Sequence, residues 1–201
     1  MTLFQHVSVQ KNMKKELLVL ASLAISVPSF AAQTIGDITY EDQLIKEKTT
    51  LQLNGAGLRE ILFVDVYAAG LYLPQKAASA EEVISMNGNK TVRLGLLRNV
   101  DAGDFVDALN EGILDNTTED ERQALSTELQ SLIAVMNMIG DVKKGDIVDF
   151  DYSKAHGTSV TVNGKLIGEK IGGEALYRAV LKIWLGEKAI DSDLKKSLLI
   201  N

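Results

Sequence analysis

Arg59 is the side chain with the clearest chemical potential in this sequence. It ends the segment Gly55-Ala56-Gly57-Leu58-Arg59 and precedes an apolar run that starts at Ile61. A guanidinium at the mouth of an apolar cavity suits an anionic head group, because its planar fork offers two donors to a carboxylate or phenolate. The plainer reading, an arginine at the surface or in an ion pair, stands beside it. Other chemistry is scarce. There is no cysteine, which excludes disulfides, thiolate metal sites and thiol nucleophiles. The histidines are His6 and His156. His156 sits in the turn-like Lys-Ala-His-Gly-Thr, and no Gly-x-Ser-x-Gly elbow accompanies it, so it reads as a solvated loop residue rather than a triad base. Gly55-Ala56-Gly57 lacks the rest of a phosphate-binding fingerprint and reads as a break between elements. Asp149 and Asp151 share one strand face, and Glu119, Asp120 and Glu121 open a helix. Both groups read as exposed, with no opposing carboxylate for a glycosidase-like pair. No metal site is expected, and nothing calls for a cofactor.

These side chains must be positioned by a chain of 201 residues, 46% hydrophobic and 24% charged. That is the size of one globular domain. The net charge of −6 and the lack of a basic cluster argue against nucleic acid as a partner. Residues 13–31 have the three parts of an export signal. Met13-Lys14-Lys15 is basic, Leu17 to Val27 is apolar, and Ser29 and Ala31 give the small-x-small cleavage pattern. The apolar run is shorter than the ~20 residues a membrane span needs, so no transmembrane segment is expected after cleavage. Met13 reads as the true start. Residues 1–31 are then a leader, and 32–201 the exported domain, periplasmic or secreted.

Within that domain, residues 34–53 alternate loosely and read as two short strands with a turn near Asp42. Ile61 to Leu73 reads as one long or two adjacent strands, with Gly70 as a kink or close-approach point, ended by Pro74. Ser79-x-x-Glu82 is a capping box for a short helix. Lys90 to Arg98 alternates as a strand. Asp101-x-x-Asp104 opens a helix with Phe105, Ala108, Leu109, Gly112 and Ile113 on one stripe. Thr118-x-x-Glu121 caps another, whose stripe runs from Leu125 to Ile139. Ile147 to Tyr152 is a strand, and Asn163-Gly164 joins a hairpin. A helix from about Glu174 to Gly186 and a short terminal helix over 192–199 finish the chain. Strands, a helical block, strands and C-terminal helices describe an α+β fold with a mainly antiparallel sheet and helices packed on one side.

Two separated stretches carry a resemblance. Gly55 to Arg59 with Asp65-Val66-Tyr67-Ala68-Ala69-Gly70-Leu71-Tyr72-Leu73, and Ala179 to Glu187 with Asp193-Leu194-Lys195, resemble the early strands and C-terminal helix of the chalcone isomerase family. The match runs along nearly the whole mature chain and is closest to exported bacterial members. It implies an open-faced β-sandwich, an antiparallel sheet with a helical layer on one face and a ligand cleft between them. In the plant enzymes an Arg, a strand Thr, and a helix Tyr and Asn handle the chalcone. Related plastid proteins use the same Arg with a Tyr to hold a fatty-acid carboxylate. By that resemblance Arg59 takes the Arg position, and Tyr67 the strand Thr position. Phe105 and Gly112 take the helix Tyr and Asn positions, and Ile183 a late Thr position. These five are the expected ligand-binding residues. Each lost oxyanion donor is worth roughly 10²-fold in rate, so an efficient chalcone isomerase is not expected. Three readings follow. One is a non-catalytic binder of a small apolar carboxylate or phenolic ligand, such as a fatty acid. The second is an isomerase (intramolecular lyase) of unknown substrate, with Arg59 as electrophile and Tyr67 as acid. The third is a structural or partner-binding protein whose cavity is filled by its own side chains.

Overall fold

The computed structural model describes residues 32–200. The leader read over residues 1–31, with His6 and Met13, lies outside them. Four strands occupy the segment expected to hold two. They are β1 (Ala32–Ile35), β2 (Ile38–Glu41), β3 (Gln43–Lys46) and the 13-residue β4 (Thr49–Ile61). β4 runs straight through Gly55-Ala56-Gly57, so the expected break there is corrected to continuous strand. The glycines answer to a neighbour: a Cβ on Gly57 would stand 2.5 Å from Ser197 Cβ. They let the terminal helix lie against the strand.

β4 turns back into β5 (Val64–Leu73) through Leu62 and Phe63, both at positive φ. The run read from Ile61 to Leu73 thus contains a hairpin apex that its residue types do not announce. Of the two readings of Gly70, close approach is the one the structure shows. A Cβ there would meet the Tyr40 ring at 2.5 Å, so Gly70 makes room for β2. After α1 (Ala80–Ser85) the sheet continues with β6 (Lys90–Leu96). Three helices follow, α2 (Ala102–Asn116), α3 (Glu119–Ala124) and α4 (Ser126–Ile139). The Thr118 capping box starts α3, and the chain breaks at Leu125 before α4, where one helix was expected. β7 (Ile147–Ser153), β8 (Gly157–Val162) and β9 (Lys165–Ile171) complete the sheet. The last two are joined by the expected Asn163-Gly164 turn, with φ of 51° and 78°. α5 (Glu174–Leu185) and α6 (Ser192–Leu198) close the chain.

The sheet is antiparallel throughout, in the order β3-β4-β5-β6-β7-β8-β9. One face, with Leu71, Leu94, Phe150 and Val160, packs against the helices in the main core around α5. The other face is covered by the β1–β2 hairpin, with Tyr40, Leu51 and Tyr72 in a second core. The sheet curls strongly. Lys46 on β3 reaches across to Asp149 and Asp151 on β7 at 2.7 and 2.9 Å. Glu47 in the next turn pairs with Lys170 on β9 at 2.8 Å. Asp149 is therefore buried and Asp151 half-buried, which corrects the reading of both as exposed. Both cores are built from residues within 32–200.

Candidate functional site

Arg59 and Tyr67 are direct partners across β4 and β5, so both side chains stand on the helix-covered face. Beyond them the register slips: Glu60 faces Asp65, and Val66 is left as an extra residue on β5. Such a bulge re-aims side chains. Here it lets the consecutive residues Val66 and Tyr67 both line one cavity of about 410 Å³. α2 forms the opposite wall with Phe105 and Ala108, and Ile190, in the loop between α5 and α6, closes the side. A smaller apolar chamber of about 40 Å³ lies deeper, sharing Tyr67, Phe105, Ala108 and Ile190 and adding Ile183 and Trp184. Arg98, Asp101 and Asp104 ring the mouth and are exposed.

The polar end is held from two sides. Arg59 Nη1 donates to the Glu60 carbonyl at 2.9 Å and to Asp191 Oδ2 at 3.3 Å. Both bonds leave from one nitrogen, so among the described residues Nη2 and Nε stay available to a ligand. Asp191 is the N-cap of α6, accepting from the N–H groups of Asp193 and Leu194 on Oδ1. Burial raises its carboxyl pKa. The surrounding backbone N–H groups and Arg59 outweigh that and hold it below the usual carboxylate value. Tyr67 is buried, and its hydroxyl accepts from Trp184 Nε1 at 3.0 Å. Burial pushes its pKa up to about 12, against the opposing pull of Trp184 and Arg59. It stays protonated at neutral pH and is a hydrogen-bond donor, not a base.

The five residues expected at the site divide as follows. Arg59, Tyr67 and Phe105 line the outer cavity, and Tyr67, Phe105 and Ile183 line the inner one. Gly112 lines neither. A Cβ there would stand 2.8 Å from Ile183 Cγ2, so its role is to seat α2 against α5. Sequence reasoning missed Asp191, Trp184 and Ile190. Asp191 had a usable signal, an Asp just ahead of a helix. Trp184 reads only as one more apolar residue on the α5 stripe.

Larger hollows of about 620 and 720 Å³ lie on the outer side of α5. Two ion pairs cross them, Lys182 with Glu121 at 2.7 Å and Arg178 with Glu174 at 3.0 Å, and charged side chains make up much of their lining. The described residues hold no cluster of metal-ligating side chains. The Arg59 cavity sets the unspent donors of Arg59 and Tyr67 against apolar walls from β5 and α2, the usual make-up of a small-molecule site.

Over residues 32–200 the chain matches the chalcone isomerase-like family, and it belongs to that family. Among solved structures that share the fold is a fatty-acid binding protein of Arabidopsis thaliana. The two align with a TM-score of 0.59 and 17% identity, covering 81% of this chain and 92% of the plant one. No curated protein sequence matches the chain.

Proposed function

We propose that this protein binds a small apolar carboxylate, such as a short or medium-chain fatty acid, between its sheet and helices. Its site of action on this reading is the periplasm or the extracellular space, after removal of residues 1–31. The observation that carries the reading is the pairing of Arg59 with Tyr67 at the polar end of a 410 Å³ cavity whose inner walls are apolar. The free Nη2 and Nε of Arg59 suit one carboxylate oxygen, and the protonated Tyr67 hydroxyl suits the other. The acyl part then rests on Val66, Phe105, Ala108 and Ile190. The plant protein of the same fold is itself named a fatty-acid binder.

A carrier fits these residues better than an isomerase. Phe105 has no hydroxyl, Tyr67 stays protonated and leaves the acid role of an isomerase without a partnering base, and the carboxylates near the mouth are exposed. The open volume beside Arg59 weighs against a purely structural role. Native mass spectrometry of residues 32–201, purified from a bacterial periplasm beside Arg59→Ala, tests the proposal. The expected result is a co-purifying carboxylate that the variant loses. An empty protein that also ignores added fatty acids would refute it.

A further inference from the structure

The apex of the β4–β5 hairpin is four apolar residues in a row, Ile61-Leu62-Phe63-Val64. Leu62 is 87% and Phe63 96% exposed, and Ile61 and Val64 are about half exposed, at 47% and 45%. Among the described residues nothing covers them. Leu62 and Phe63 also occupy the two turn positions, at φ of 49° and 66°. Bulky side chains disfavour that region, and the usual occupants are Asn and Gly. The same chain uses Asn163-Gly164 for its other turn of this shape, and the polar Glu47-Lys48 for a third. The apex therefore combines unfavourable backbone with unfavourable solvation.

We propose that this apex is a lipid-surface anchor that seats the cavity mouth on a zwitterionic bilayer. Three observations select this occupant. The first is area. Four such side chains expose on the order of 400 Å², well short of the ~800 Å² per partner of a stable protein interface. A narrow apolar wedge instead suits the interfacial layer of a bilayer, where a depth of about 5–10 Å is enough. The second is continuity. Ile61 is both part of the apex and part of the cavity wall that holds Arg59 and Val66. An acyl chain leaving the membrane there meets Ile61 and then Val66 along one side of the mouth, opposite the charged Arg98, Asp101 and Asp104. The third is charge. The apex is flanked by exposed Glu60 and Asp65 on a chain of net charge −6, so attraction to anionic lipid does not drive the contact. What the anchored cavity takes up rests on the carboxylate reading above; the docking itself does not.

The test uses residues 32–201 and the double variant Leu62→Asn/Phe63→Gly, which removes the apolar apex while installing the favoured turn pair. It should melt no lower than the parent, so loss of function cannot be loss of fold. Flotation with phosphatidylcholine vesicles should show the parent bound and the variant weaker by roughly 100-fold. Adding phosphatidylglycerol should lower binding. In vesicle-free solution both should take up decanoate equally. If neither takes up decanoate but only the parent floats, the cavity reading falls and the docking stands. A parent that does not float, equal flotation of both, or binding that rises with phosphatidylglycerol would each overturn the anchor. A parent that elutes as a dimer while the variant is monomeric would overturn it in favour of self-association.

Discussion

Arg59 divides its guanidinium, with Nη1 holding Asp191 and the rest of the fork facing the cavity. Tyr67 is divided the same way, accepting from Trp184 and keeping its own proton to donate. Tyr67→Phe should therefore do two things. Ligand affinity should fall roughly tenfold, and stability by about 1–2 kcal/mol as Trp184 Nε1 loses its acceptor. A titration and a thermal melt of the same sample check both; unchanged affinity would detach Tyr67 from the site. Lys90 carries a different message. It is fully buried on β6, its Nζ has no hydrogen-bond partner among the described residues, and it lies 5.6 Å from the Tyr152 ring centre. Burial lowers its pKa, with partial relief from Glu174. An unfolded Lys90 then binds a proton more readily than the native one, so its penalty shrinks as pH rises toward the ordinary value of about 10.4. Lys90→Met should raise stability at neutral pH by about 1 kcal/mol or more. Urea midpoints at neutral and alkaline pH check this, with the gap narrowing at the higher pH.

At the scale of elements, the C-terminal helix is the latch of the site. α6 lies on Gly57, its cap Asp191 holds Arg59, and its last turn is tied to the bulge in β4 by Asn54. The buried Asn54 amide donates to the carbonyls of Leu198 and Ala77 at 2.7 and 3.0 Å and accepts from Ala77 N–H at 2.7 Å. Asn54→Ala orphans the Leu198 carbonyl and the Ala77 N–H, leaves the Ala77 carbonyl only a 3.4 Å bond from Ile200 N–H, and should cost about 2–4 kcal/mol. Hydrogen exchange should show α6 opening first, before the sheet. This element also marks where sequence reading stops. The elements with local signatures were legible: the Thr118 capping box, the Ser79 cap of α1 (whose Glu82 reaches back to Ala78 N–H rather than closing the box), the Asn163-Gly164 turn and the apolar stripes of α2 and α5. The glycines of β4 were misread because their reason is a helix some 140 residues away in the chain, visible only in three dimensions. The β4–β5 turn was missed because Leu and Phe are the wrong residues for it. Arg59 could be singled out by its context and Tyr67 by resemblance, whereas their shared face depended on a register that sequence does not fix.

For the whole molecule, the curl of the sheet is secured by charge as well as by apolar packing. Arg93 grips Asp149 through two bonds of 2.8 and 2.9 Å, and Lys46 from the far edge binds Asp149 and Asp151. Burial raises the Asp149 pKa, but Arg93 and Lys46 outweigh it and leave it lowered. For Asp151 burial prevails over Lys46 and Thr91, and its pKa is raised. The two have opposite linkage signs. Asp149 contributes stability above the unfolded value of about 3.9 and loses it as pH falls through its lower native value. Asp151 carries a penalty above its raised native value that is relieved as pH falls through that value toward the unfolded one. Asp149→Asn should destabilise the fold by about 3–5 kcal/mol at neutral pH, because Arg93 loses its carboxylate and Lys46 keeps only Asp151. The difference from the parent should shrink in acid, as stability curves across pH will show; a constant offset would remove Asp149 from the acid limb. The cavity sits on the opposite face of this sheet, so the ion network shapes it without touching a ligand. The decisive measurement is calorimetric titration of residues 32–201 with decanoate, beside decanol and beside Arg59→Ala. One decanoate should bind per chain, with affinity at least tenfold weaker for the alcohol and for the variant. Equal binding of acid and alcohol, or of parent and variant, would contradict it.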